Sequence, residues 1–189
     1  MILVKEGDEE AFIEIIARYE KKLINFFYYL AFNYHTSEDL TQEVFLKVYR
    51  YRKKYRETAT FRTFIYTVAK NLWIDHLRRN KNCPAQMSLE KPLNPGQSTG
   101  MLKDVIRDER IREPSLTVDR MEIANAIMES VNSLPEQERL IFMMIAKQGL
   151  KYKEVAEILD IPEGTVKSKL YYIYRKLRNK LKDYNPDEM

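Results

Sequence analysis

From Asp8 to about Phe32, apolar side chains recur every three or four positions: Phe12, Ile15, Ile16, Tyr19, Leu23, Phe26, Phe27 and Leu30. That spacing puts them on one side of a helix, and Asp8 in front of it suits an N-cap. A second helix is expected to start in "TSEDL", where Thr36 and Asp39 have the spacing of a capping box with Asp in place of Glu. Its inner stripe is Leu40, Val44, Val48 and Tyr51; its outer face carries Asp39, Gln42, Glu43, Leu46 and Lys47. "RKKYRETAT" breaks the pattern and reads as a loop. A third helix is expected from about Phe61 to Asn80, with Phe61, Phe64, Ile65, Val68 and Leu72 as its inner stripe and Trp73 off that stripe.

The pattern then stops. Residues 81–116 hold Pro84, Pro92, Pro95, Pro114, Gly96 and Gly100 with no sustained period. A loop of that length inside a compact domain is unusual, so a linker is expected, with "MLKDVIRDERI" as a short helix within it. Periodicity resumes at Asp119, with Glu122 placed to help start a helix that buries Ile123, Ile127 and Val131. Ser133 and Glu136 have capping-box spacing around Pro135, and Gly149 sits where the next helix should end. A short helix over about 151–159 is expected to bury Val155, Ala156 and Leu159. A last helix from about Glu163 is expected to bury Val166, Leu170, Ile173, Leu177 and Leu181. The fold expected is all-α: two small helical domains, 1–80 and 117–189, joined by a flexible linker over 81–116, with a helix-turn-helix in the C-terminal one. No segment reads as a strand and no repeat is present.

Composition supports this. The 189 residues include only 5 Gly and 7 Pro, which suits helices. A single cysteine, Cys83, excludes an internal disulfide. The longest apolar runs, "FFYYLAF" and "LIFMMIA", fall far short of the roughly 20 residues that span a bilayer. The N-terminus resembles no signal peptide. A soluble, cytoplasmic protein without membrane insertion is expected.

The net charge of +4 hides an uneven distribution. Residues 47–81 hold 11 Lys/Arg against 2 Asp/Glu, and residues 162–189 hold 7 against 4. Solvated faces usually mix signs, so two separate basic zones suggest two places for a polyanion. In the C-terminal zone, a short helix with small Ala156, the tight turn "DIPEG" and a longer helix have the form of a helix-turn-helix. The exposed face of the last helix presents Lys167, Ser168, Lys169, Tyr171, Tyr172 and Arg175. A helix fits the major groove of B-DNA and reads it from its N-terminal residues. Lys and Arg neutralise phosphates, while Thr165 and Ser168 can donate to phosphate or base.

"LPEQERLIFMM…GLKYKEVAEILDIPEGTVKSKLYYIYRKLR" resembles the C-terminal domain of extracytoplasmic-function (ECF) sigma factors, with "GTVKSKL" as the recognition-helix signature. "DLTQEVFLKVY" resembles the family helix that grips the polymerase clamp, and "FRTFIYTVAKNLWIDHLRR" the helix that opens the promoter. Both halves stand in the family's order, over about residues 8 to 182. There are departures: Phe64 where the family usually has Trp, Tyr152 where it has Ser or Thr, and Tyr172 and Tyr174 where it usually has Arg. A Tyr cannot fork onto guanine as Arg does, so the upstream sequence preference should differ.

The resemblance implies a protein that binds RNA polymerase core and directs initiation. Asp39, Gln42, Glu43, Leu46 and Lys47 would meet the beta-prime clamp helices; the beta flap would be a further contact. The helix-turn-helix would read the −35 element. The −10 element would be opened by residues 56–79, and the loop "YRETAT" would seat a flipped base. A displaced strand needs backbone charge and pockets for bases. Arg56, Lys70, Arg78 and Arg79 supply the charge; Thr58, Thr60 and Asn71 would line a base pocket. Asp75, at helical spacing from Arg78 and Arg79, is expected to form local ion pairs. The family commonly pairs with an anti-sigma factor.

An enzyme is disfavoured. His35 and His76 lie far apart without metal-ligand spacing, Cys83 has no His near it, and no Gly-rich phosphate loop is present. No catalytic residue, metal or cofactor is expected. A helix-turn-helix regulator with an N-terminal sensor or dimerisation module is the alternative, though a sensor would not need a second polyanion site.

Overall fold

The computed structural model describes residues 1–55, 59–82 and 126–181; every described segment is helix or connecting turn. Helix α1 spans Ile2–Glu6, α2 Glu9–Ala31, α3 Tyr34–Arg50 and α4 Phe61–Asn82. Residues 126–132 form α5. Then follow α6 (Glu136–Phe142), α7 (Tyr152–Leu159) and α8 (Glu163–Lys180).

The caps explain the boundaries. Asp8 is the N-cap of α2, accepting from the Ala11 N–H at 2.9 Å, and Glu9 and Glu10 oppose the helix dipole. The next helix starts two residues before the expected Thr36. Asn33 takes the cap, its side-chain oxygen accepting from the Thr36 N–H at 2.9 Å, and an Asn cap rivals any other. The Ser133–Glu136 capping box does not form: Pro135 is the N-cap of α6 without a side-chain cap, and the Ser133 hydroxyl donates to the Ser130 carbonyl at 2.6 Å. Gly149 does close that element, at φ 61°, but after a π-helical turn over Met143–Lys147 rather than a plain α-helix.

Leu23, Phe26, Phe27 and Leu30 of α2 are buried against Leu40, Val44 and Val48 of α3 and Ile65, Ala69 and Leu72 of α4. Each of these Leu, Ile, Val and Phe side chains contributes roughly 1.5–3 kcal/mol on burial, Ala69 less. Two expectations for α4 fail. Trp73, off the expected stripe, is 3% exposed. Of that stripe, only Ile65 and Leu72 are buried; Phe61, Phe64 and Val68 are half-buried. The cause is that α4 packs on two sides, against α3 and against α7, so its buried arc is wider than one stripe.

In the C-terminal half, Ile141, Met143, Met144, Val155, Ile158, Val166 and Ile173 are buried. Ile158 takes the core position expected of Ala156 and Leu159, which are half-buried, as is Leu181. Ile127 is 42% exposed rather than core, while Val131 is buried. The two halves share one continuous apolar cluster. The expected linker begins inside α4, which runs through Asn82; the remainder of 81–116, and Asp119, Glu122 and Ile123, lie outside the described residues.

Candidate nucleic-acid interface

The helix-turn-helix is built by α7, a short turn and α8. Asp160 ends α7 at φ 54°, its N–H donating to the Ala156 carbonyl. The Ile161 N–H donates to the same carbonyl at 3.1 Å, and the Pro162 carbonyl takes the Thr165 and Val166 N–H groups at 2.9 and 3.2 Å. Backbone hydrogen bonds hold the turn, and Ile161 packs it against the core. With Val166, Leu170, Ile173 and Leu177 buried, the opposite face of α8 must point outward.

That face is the one expected. Lys167, Ser168, Tyr171, Tyr172 and Arg175 are exposed; Thr165 and Lys169 are partly so. Lys167 is held 2.7 Å from Glu163, whose hydrogen bond and charge push its pKa up, and its ammonium lies 5.8 Å from the Tyr152 ring centroid. The Lys169 ammonium donates to Gln137 Oε1 at 3.3 Å, and the Ser168 hydroxyl to the Thr165 carbonyl at 3.1 Å. The rings of Tyr171 and Tyr172, 65% and 56% exposed, meet edge to face at 5.6 Å. Two large rings left in water on a groove-sized helix are surface available for contact.

The outer face of α3 is also as expected: Asp39, Gln42 and Leu46 are exposed, Glu43 and Lys47 half-exposed. The new fact is how it joins α4. Glu43 lies 3.8 Å from Lys47 and, through its other oxygen, 3.9 Å from Arg79. Arg79 therefore does not share Asp75 with Arg78, which alone faces it at 3.9 Å.

On α4, Thr60 stands just ahead of the first turn, its hydroxyl accepting from the Thr63 N–H at 3.2 Å. It braces the helix start; Arg56 and Thr58 lie outside the described residues. Asn71 is exposed, and no hydrogen bond ties its amide to any described residue. Lys70 is half-buried, its pKa lowered by burial against a weaker opposing pull from Asp160. Lys47, Tyr51, Asn71 and Arg78 share one open groove of about 560 Å³ with Val68 and Ile74 on its wall.

Two rings of α4 serve the core rather than this surface. Tyr66 is 1% exposed and Trp73 stacks on His76, ring planes 20° apart and centroids 5.5 Å apart. Burial, with a smaller contribution from Arg79, lowers the His76 pKa, and Glu43 opposes it. Tyr51, expected on an inner stripe, is 53% exposed instead. It caps the C-terminus of α3, so its side chain turns out of the bundle.

Among the described residues no group of three or more His, Cys, Asp or Glu could hold a metal ion. No described helix is long and apolar enough to cross a membrane.

A helix-turn-helix with an outward basic helix, on one body with a three-helix unit bearing a cationic groove, defines a helical DNA-binding protein with two cationic surfaces. Residues 15–83 match Sigma-70 region 2 and residues 124–177 match Sigma-70, region 4. ECF RNA polymerase sigma factor SigW of Bacillus subtilis is 29% identical over 180 residues, 95% of this chain and 94% of that one. The ECF RNA polymerase sigma-E factor of Escherichia coli K12 is 28% identical over 182 residues, 94% of this chain and 90% of that one. Two solved folds agree. CnrH in complex with the cytosolic domain of CnrY superposes with TM-score 0.68 at 16% identity, over 97% of this chain and 96% of that one. RpoE in complex with the anti-sigma factor NepR, from Bartonella quintana, gives 0.65 at 18% identity over 92% and 98%. The chain belongs to the ECF sigma factors, and so to the proteins that direct RNA polymerase to promoters.

Proposed function

We propose that this chain binds RNA polymerase core through the outer face of α3, reads the −35 element with α8, and opens the −10 element along α4. The observation that carries this assignment is the pair of separate cationic surfaces, each with the partners its task needs. On α8, Lys167, Ser168, Lys169 and Arg175 surround two exposed rings, with Thr165 at the helix start. This suits phosphates flanking a groove, with Tyr171 and Tyr172 over thymine methyls. On α4, Lys70 and Arg78 line one groove with Asn71, whose amide offers both donor and acceptor to a base edge, and Arg79 adds charge further along the helix. On α3, two carboxylates, an amide and exposed Leu46 suit a basic helical partner.

The tight packing of the halves supports a regulated form. The −35 and −10 elements lie about 25 base pairs apart, roughly 85 Å at about 3.4 Å per pair. One body held together through α4 and α7 cannot reach both, so engagement of a promoter requires that the halves separate. Both fold relatives were solved in complex with a partner, the cytosolic domain of CnrY or the anti-sigma factor NepR. An anti-sigma factor holding this chain closed is the corresponding partner.

The test is transcription in vitro with core polymerase over a promoter library. The expected result is initiation at a subset of promoters sharing two spaced elements, dependent on the chain. Retention of duplex binding without any gain in initiation would favour the regulator alternative.

A further inference from the structure

We propose that Glu163 and Lys167, joined as an ion pair on the first turns of α8, read one C·G base pair of the upstream element, which makes Glu163 a specificity-determining residue of this chain. This rests on the −35 reading given to α8 above, and it moves Lys167 from the phosphates to a base.

Glu163 is the first residue of α8, one turn before Lys167, and both are exposed. Its Oε1 lies 2.7 Å from the Lys167 ammonium, and its other oxygen takes no hydrogen bond from a described residue. The ammonium also lies 5.8 Å from the ring centroid of Tyr152, the first residue of α7. Two contacts therefore fix where the ammonium stands. It has three donors, so the pair presents an open acceptor beside spare donors.

The place of the pair needs a reason. A recognition helix enters the major groove with its N-terminal residues at the base edges. A carboxylate there opposes the DNA phosphates and cancels the charge that Lys167 would bring to one. A solvated ion pair could stand on any exposed face; this one stands on the leading turn of a basic helix. Gly164, beside it, leaves that turn bare. Its backbone is not left-handed, and a Cβ there would meet nothing within 4 Å. Neither conformation nor packing within the described chain calls for glycine, which weakens a helix. What glycine provides is room for a close approach from outside.

One base pair matches best. In the major groove cytosine presents its N4 amino donor, and its guanine presents the N7 and O6 acceptors. The open Glu163 oxygen accepts from the cytosine, and the Lys167 ammonium donates to the guanine. An A·T pair also has an amino group, but its thymine brings a methyl group and a single acceptor. With the pair reversed, the guanine acceptors face the carboxylate and repel it, so the same group that favours one orientation rejects the other.

The experiment measures competition binding of holoenzyme, assembled from the full chain and core, to duplexes of a promoter selected by in vitro transcription. Its upstream element is varied one base pair at a time. Wild type should prefer C·G at one position by roughly 5- to 150-fold. Glu163→Ala should lose the preference at that position alone, and Lys167→Ala should weaken it at the same position. Glu163→Gln should move the preference there to A·T, because Gln forks onto adenine N6 and N7; a misfolded variant could not gain a new preference. An unchanged profile in Glu163→Ala, or an equal gain on every sequence, would overturn the proposal, the second outcome leaving Glu163 as a bare charge. Effects of the Glu163 and Lys167 variants at different positions would overturn it too. Tyr172→Ala tests the underlying reading: if it relaxes one position while Glu163→Ala relaxes none, only the role of the pair is wrong. If no α8 variant alters any upstream preference, α8 is not the reader and both fail.

Discussion

The Tyr66 hydroxyl donates a 2.6 Å hydrogen bond to Gln148 Oε1, joining positions 82 apart. Arg62, one turn earlier on α4, donates to the Gln148 backbone carbonyl and lies 4.0 Å from Glu154. The π-helical turn over Met143–Lys147 presents Gln148: its N–H reaches back to the Met143 carbonyl at 3.0 Å, and the widened turn delivers Gln148 to α4. Around this clasp, the Lys147 ammonium lies 5.0 Å from the Tyr29 ring and the Arg139 guanidinium 5.7 Å from the Phe32 ring.

Loosening the clasp should separate the halves without unfolding them. Tyr66→Phe leaves Gln148 without its phenol, and Arg62→Ala removes two contacts. Gln148 and Arg62 are half-buried, so each hydrogen bond lost costs about 0.5–1.5 kcal/mol. Hydrogen exchange on the double variant should show faster exchange in α7 and the exposed side of α4, with α2 and α3 unchanged. Uniform acceleration throughout would mean that the halves fold only together.

Trp73 gives a test of the core. Its ring is buried, and its Nε1 has no hydrogen-bond partner among the described residues. Trp73→Phe removes an unsatisfied donor while keeping a ring beside His76, so its stability should stay within about 1.5 kcal/mol of wild type. Trp73→Ala should cost about 3–5 kcal/mol. Urea unfolding followed by circular dichroism distinguishes them.

The acidic face of α3 should matter to core and little to folding. Glu43 is about 40% exposed at its side chain and its ion pairs are 3.8 and 3.9 Å long, in a class worth about 0–1 kcal/mol. Asp39→Arg with Glu43→Arg should therefore unfold at nearly the wild-type temperature yet compete poorly for core polymerase. Undiminished competition would place the core contact elsewhere.

On α8, two kinds of loss should separate. Arg175 is exposed with no ion pair among the described residues. Arg175→Ala should weaken binding to every sequence and lower the salt slope by about one. Tyr172→Ala should relax preference at one position, at about 1–3 kcal/mol. Binding titrations at several salt concentrations on a set of upstream sequences read both.

The helix-turn-helix was legible in the sequence because its signals are local: period, turn and the basic face of α8 sit within 28 residues, 151–178, and the four principal core positions of α8 follow the period. The α3 face was legible for the same reason. What the sequence hid was long-range. Trp73 falls off the expected stripe, and Tyr66 is not counted on it, because one helix period describes one packing partner, whereas α4 has two. Asn33 outcompeted Thr36 as a cap, a choice between adjacent candidates that spacing alone does not make. Tyr51 looked like core by its spacing from Val44 and Val48, but it stands where α3 ends and the period no longer governs its direction. The clasp at Gln148 had no sequence signal, since a polar residue before a C-terminal glycine is commonplace.

The central claim is that α4 opens duplex DNA for the polymerase, and Asn71 is its most direct probe. Holoenzyme carrying Asn71→Ala should be compared with wild type on two templates of one promoter, a closed duplex and one with a pre-melted −10 bubble. A role in opening predicts a large defect in initiation on the closed duplex and a much smaller one on the bubble, where the cost of unpairing, a few kcal/mol, is already met. Equal defects on both templates, or none on either, would contradict it.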